Sequence, residues 1–322
     1  MLNIEMLTMI ISKVASMLSK IITSCLAYVI CCFTSLAIRC GLKSITEFIL
    51  KNGPKEVIMD NPYLINLAAR CNDKGIVQML LKKGCNINSQ DQIQNTPIYM
   101  ATLNGYKEMV EFLIQNGADV NQKTKFGFTS IHAAIWFDKP EIEKVLLRNG
   151  AQVDQPLNVG ATALHIACEN GNIKVAKHLI KIGANIEAKD PVYYNWTPLH
   201  WAAIKNKPQT VYMLLENKAN IEAQSVNGVT PLHLSIVKGH WLIFRILLQF
   251  GANLDALDNW NRSSLHVAIQ NGFRQTAKVL LKYGISLDAR NVDGNTVVEC
   301  SLTKNEKAFD IFKMITFKQS GN

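Results

Sequence analysis

The stretch TALHIACENGNIKVAKHLIKIGANIE, residues 162–187, reads as two short helices joined by a turn and closed by a glycine. Thr162 stands where a helix N-cap belongs. The apolar residues after it recur at helical spacing, and Gly183 lies just past the second helix, where a left-handed residue ends it. A unit this small cannot bury its apolar side alone, so its meaning depends on whether it recurs.

It recurs along most of the chain. TPIYMA begins at Thr96, TSIHAA at Thr129, TPLHWA at Thr197, TPLHLS at Thr230, SSLHVA at Ser263 and TVVECS at Thr296; with Thr162 in its place the steps are 33, 33, 35, 33, 33 and 33 residues. Pro97, Pro198 and Pro231 follow the cap, where a missing N–H costs nothing. Gly117, Gly150 and Gly251 repeat the closing turn. This period, with T-P-L-H-x-A and G-A-[DN]-[VIL]-[ND], resembles the ankyrin repeat family. The resemblance implies an all-α fold, a solenoid of antiparallel helix pairs with β-hairpin-like finger loops, whose concave face and finger tips bind other proteins.

The register extends backwards. YLINLAARCNDKGIVQMLLKKGCNIN (63–88) keeps Leu80, Leu81, Gly84 and Asn88, and CGLKSITEFILKNG (40–53) aligns with KGHWLIFRILLQFG (238–251), placing Leu36 and Ala37 over Leu234 and Ser235. The expected organisation is an apolar helical segment over 1–31, a degraded repeat over 32–60, repeats over 61–295 with starts near 63, 96, 129, 162, 197, 230 and 263, a capping repeat over 296–315 and a tail over 316–322.

Within the first forty residues, IITSCLAYVICCFTSLAI (21–38) carries no charge, yet eighteen apolar residues only just reach across a hydrocarbon core roughly 30 Å thick. Its last residues fall within the repeat register. Residues 1–20 add a helical stripe of Leu7, Ile10, Ile11, Val14 and Leu18, continued by Ile21. Three roles stay open: a cap or docking helix for the solenoid, a membrane anchor through 1–38, and contact with a second chain.

The 34 basic and 25 acidic residues contain no run of five or six like charges, so no nucleic-acid partner is expected. Eight cysteines without a Cys-x-x-Cys pair or zinc spacing suit a reducing compartment, hence a cytoplasmic protein, with nuclear or membrane-associated placements as alternatives. Absence of a Gly-rich phosphate loop, G-x-S-x-G or H-E-x-x-H points away from an enzyme, from a cofactor and from a small-molecule substrate. His132, His165, His200, His233 and His266 recur with the period. Equivalent residues of stacked units stand roughly 8–10 Å apart, too far to share one metal. The resemblance gives these rings a structural role, joining the cap and loop of neighbouring units.

The resemblance also places the residue after the motif histidine, and the two before the helix-turn position, on the concave groove. Met100, Ala133, Ile166, Trp201, Leu234 and Val267 are of the first kind; Leu103, Trp136, Phe137, Ile204 and Lys205 are among the second. Two extra residues in KDPVYYNW (189–196) lengthen one finger and load it with aromatic side chains. The expected protein-binding site is therefore Leu103, Trp136, Phe137, Tyr193, Tyr194, Trp196, Trp201 and Ile204, exposed rings of the kind that make hot spots. Trp201→Ala together with Tyr194→Ala is expected to abolish binding and leave the melting temperature nearly unchanged. Asn121 in LIQNGADVN resembles a site at which ankyrin repeats accept asparagine hydroxylation, although such a side chain can also tie down its own turn. Two functional alternatives to a plain interaction module are a membrane-tethered scaffold and a substrate-recruiting adaptor for a ubiquitin ligase; the adaptor's usual C-terminal box is not found in TFKQSGN (316–322).

Overall fold

The computed structural model describes residues 30–53, 58, 61–302, 311, 313, 315 and 316; the expectations for residues 1–29 and for most of the capping repeat and tail lie outside them. Every regular element among the described residues is a helix. The chain divides into two compact units, residues 1–152 and 153–322.

The first unit holds α1 (30–39), α2 (Lys43–Asn52), α3 (Pro62–Arg70), α4 (Lys74–Lys83), α5 (Pro97–Leu103), α6 (Lys107–Gln115), α7 (Ser130–Trp136) and α8 (Pro140–Arg148). The second holds α9 (Ala163–Asn170), α10 (Ile173–Lys181), α11 (Pro198–Ile204), α12 (Pro208–Glu216), α13 (Pro231–Val237), α14 (Trp241–Gln249), α15 (Ser264–Gln270), α16 (Arg274–Lys282) and α17 (Val297–Ser301). At five to ten residues, none would persist alone in water, so packing must hold them.

That packing follows the period. In the first unit α3, α5 and α7 form one row and α6 packs on α8; in the second α9, α11, α13, α15 and α17 form one row beside α10, α12 and α14. Where the rows touch, the motif alanine, Ala101, Ala134, Ala167, Ala202 or Ala268, is fully buried and lets the backbones approach. Ser235 takes that place in α13 and donates its hydroxyl to Leu232 O at 2.7 Å, so the polar atom is satisfied in the core. One leucine per second helix, Leu80, Leu113 and Leu146 in the first unit and Leu179, Leu214, Leu247 and Leu280 in the second, is also fully buried.

The closing turns have the left-handed backbone expected of them, with φ between +82° and +95° at Gly117, Gly150, Gly183 and Gly251. Lys218 occupies the corresponding place in its repeat and takes the same conformation, φ +63°.

Candidate functional site

Three kinds of hydrogen bond recur between neighbouring repeats within a unit, and these help to set the positions of the side chains expected to meet a partner. The first involves the motif histidines. In the second unit the backbone N–H groups of Thr162, Thr197 and Ser263 donate to Nδ1 of His165, His200 and His266 at 3.1–3.2 Å. With Nδ1 an acceptor, the proton lies on Nε2, which donates to the next finger: His165 to Trp196 O at 3.0 Å, His200 to Val229 O at 3.0 Å and His266 to Asn295 O at 3.3 Å. Burial pushes all three rings, and His233, below the usual histidine range, His200 to about 4. His165, His200 and His266 thus act as neutral struts. Among the described residues no group of three or more His, Cys, Asp or Glu could hold a metal ion.

The second kind is a row of side-chain oxygens at the base of the loops. In the first unit Asn88 Oδ1 accepts from Asp119 N–H and Asn121 Oδ1 from Gln152 N–H. In the second, Asp154 accepts from Asn185 N–H, Glu187 from Asn220, Glu222 from Asn253 and Asp255 from Ser286, at 2.7–2.9 Å. Asn121 also donates its Nδ2–H to Gly150 O at 2.9 Å. Both ends of its amide therefore bridge to the following repeat rather than to its own turn.

The third kind links finger tips. Lys125 N–H donates to Ile93 O in the first unit; Val226 N–H donates to Tyr194 O at 2.8 Å, Asn259 to Asn227 O at 3.0 Å and Val292 to Trp260 O at 3.0 Å in the second. The tips carry apolar side chains into solvent: Val192, Tyr193, Tyr194, Val226, Trp260 and Val292 are all exposed. Val192 was legible as a fingertip residue, since Ile93, Phe126, Val159 and Val192 recur at the period in otherwise polar loops.

The lengthened finger has its own geometry. Tyr194 and Asn195 both take left-handed backbone, φ +53° and +57°, and Trp196 N–H donates to Tyr193 O at 2.9 Å, closing a two-residue reverse turn. Asp190 N–H donates to Trp196 O at 2.9 Å below it. Asparagine tolerates that conformation; tyrosine is strained by it, at about 1–2 kcal/mol. The turn folds the finger back so that Tyr193 lies edge-on to Trp201 at 4.8 Å and Trp196 edge-on to it at 5.6 Å. Tyr194 and Trp196 are 6.3 Å apart.

This arrangement corrects the expectation for Trp201. Its ring is 6% exposed, beneath Tyr193 and Trp196, and its Nε1–H meets no acceptor among the described residues. Trp201 is thus part of the core and not an exposed anchor, and Trp201→Ala is expected to lower the melting temperature. At the equivalent positions Ala133, Leu234 and Val267 are buried as well, whereas Met100 and Ile166 are half-buried. The positions before the turn behave differently: Leu103, Trp136 and Ile204 are half-buried, and Phe137 and Lys205 are exposed. In the second unit Lys205 holds its ammonium 5.4 Å above the Trp201 ring and 2.6 Å from the Glu169 carboxylate. Of the expected residues, Tyr193, Tyr194, Trp196 and Trp201 come together as one cluster. In the first unit, Phe137 and its half-buried neighbour Trp136 sit at the end of α7.

A groove of about 540 Å³ beside Trp241, Phe273 and Arg274 holds one cation but no carboxylate, thiol or histidine, so it offers no acid–base or nucleophilic set.

Known proteins agree with this architecture. A family model described as "Ankyrin repeats (3 copies)" matches residues 65–157, 131–225 and 199–291. Among curated proteins, none matches. The solved ankyrin repeat domain of Bcl-3, described as a unique member of the IkappaB protein family, is 26% identical with a TM-score of 0.60, over 68% of this chain and 98% of that one. The human ASB11 ankyrin repeat domain is 27% identical with a TM-score of 0.52, over 67% of this chain and 96% of its own. The matched segments run without a break from residue 65 to residue 291, and the chain belongs to the ankyrin repeat family.

Proposed function

We propose that the protein is a non-enzymatic interaction module that captures an apolar segment of a partner protein across the finger tips of its second unit, centred on Tyr193 and Tyr194. The observation carrying this reading is the exposed row Tyr194, Val226, Trp260 and Val292, whose backbones are tied tip to tip. Large rings held outward on a rigid support are efficient anchors, because few rotors are frozen when they bind. Strained backbone at Tyr194 supports the same reading, since unfavourable conformations of this kind gather where a ligand is held. Trp201 serves as the floor under this cluster, and Lys205 with Glu169 form its polar rim.

Tyr194→Gly separates this role from a structural one. Glycine adopts φ +53° freely, so the variant should melt at the wild-type temperature or above it while losing the anchor. Cross-linking mass spectrometry on wild type, Tyr194→Gly and Tyr283→Ala, an exposed ring away from the fingers, provides the test. Partners should disappear in the first variant and persist in the second; equal capture by all three proteins would refute the site.

A further inference from the structure

The same four hydrogen bonds recur in turns of several repeats, two of them far apart in sequence. After α1, Cys40, Gly41, Leu42 and Lys43 donate to the carbonyls of Leu36, Ile38, Ala37 and Gly41; after α13, Lys238, Gly239, His240 and Trp241 donate to those of Leu234, Ile236, Ser235 and Gly239. Gly41 and Gly239 share a left-handed backbone, φ +68° and +67°. Thus α1 and α2 form a repeat pair in the register of α13 and α14, and each residue of one pair has a counterpart in the other.

On one side the counterparts match, since Ala37 and Ile38 are buried like Ser235 and Ile236. On the other they diverge sharply. Leu36 is 56% exposed where Leu234 is 6%, Ile45 is 50% where Ile243 is 0%, and Phe48 is 67% where Ile246 is 9%. Phe33, which stands where Pro231 is buried, is exposed too. These positions belong to the part of a repeat pair that an interior neighbour covers. The pair has α4 packed against α2, but no preceding pair among the described residues.

What precedes it in sequence is suited to the task. Residues 1–29 approach one repeat period in length and carry the stripe Leu7, Ile10, Ile11, Val14, Leu18 and Ile21, apolar at the spacing of one helix face. They join α1 directly, so their local concentration at Phe33 and Leu36 is that of a short tether, on the order of millimolar, without any partner present. We propose that residues 1–29 lie across Leu36, Ile45 and Phe48 and supply the missing half of the first repeat interface. The stripe is then occupied within the chain and withdrawn from a bilayer or a second copy.

Hydrogen–deuterium exchange on the full-length chain, read by mass spectrometry, tests this reciprocally. Phe48→Glu should speed exchange within residues 7–21 by tenfold or more, and Leu18→Glu should do the same to residues 43–52, while residues 97–148 stay protected in both. Phe48 is exposed, so its substitution does not itself open a core. Light scattering over a range of concentrations and flotation with phosphatidylcholine–phosphatidylserine vesicles run alongside. A monomer that does not float, with both exchange effects, is the expected result. Residues 7–21 exchanging at the unprotected rate in wild type would overturn the proposal. So would protection that appears only as the protein dimerises, or flotation of the wild-type chain.

Discussion

His200 and Val229, from consecutive repeats, meet where the ring Nε2–H donates to the carbonyl at 3.0 Å, while Nδ1 of the same ring accepts from Thr197 N–H at 3.2 Å. A protonated ring would turn Nδ1 into a donor facing a donor, so this joint works only with neutral imidazole. Burial, the main cause, holds the ring down to about 4. An unfolded histidine takes its proton near 6.5, so between pH 6.5 and about 4 the unfolded chain binds a proton that the folded chain refuses. Stability present above pH 6.5 is therefore lost as pH falls through that window, on the order of 3 kcal/mol from His200 alone. Urea unfolding at pH 7 and pH 4.5 measures the loss. His200→Gln, which can both accept from Thr197 and donate to Val229, should flatten the dependence.

Lys218 stands in left-handed backbone at φ +63°, where the equivalent residues of neighbouring repeats are Gly183 and Gly251. A side chain in that conformation costs about 1–2 kcal/mol, partly offset by the entropy glycine loses on folding. Lys218→Gly should raise stability by about 1 kcal/mol, visible as a higher urea midpoint with an unchanged slope.

Trp201→Ala should cost about 3–5 kcal/mol, because the ring is buried beneath two others. Thermal unfolding should show a clear drop, and fluorescence should report Trp196 moving into water. Unchanged melting would mean that the finger does not pack on Trp201.

The loop-base oxygens predict a substitution pattern. Glu222→Ala removes the acceptor for Asn253 N–H and should destabilise by about 1 kcal/mol, whereas Glu222→Gln retains an acceptor and should cost less. The two urea midpoints, measured together, check the order. Equal effects would assign the role to charge instead of to the hydrogen bond.

Much of this was legible in the sequence because each repeat restates the same local physics. Thr before Pro starts a helix, glycine ends one, and the motif alanine marks where helices touch. Legibility failed where a side chain's environment depends on a segment without a counterpart. Trp201 lies at a position the period specifies, but its cover comes from the finger lengthened by two residues in 189–196; Asn195 has left-handed counterparts such as Gly160 and Gly228 in the neighbouring fingers, whereas the left-handed Tyr194 before it has none among the described residues to read it from. The fingertip residue Val192 was present in the period and easily passed over, since a lone apolar residue in a polar loop looks unremarkable until its neighbours repeat it. Asn121 illustrates the converse: the side chain named for a possible modification also bridges to the next repeat of the first unit, as Asn88 does.

The tip-to-tip hydrogen bonds from Val226 to Tyr194, from Asn259 to Asn227 and from Val292 to Trp260 also bear on kinetics. Under the proposed fingertip role, fingers coupled in this way would resist adjusting singly, so a ligand whose anchors matched their spacing would dock without waiting for loops to order. A mismatched ligand would have to strain several rungs at once. Discrimination between such ligands would then appear chiefly as a difference in dissociation rate.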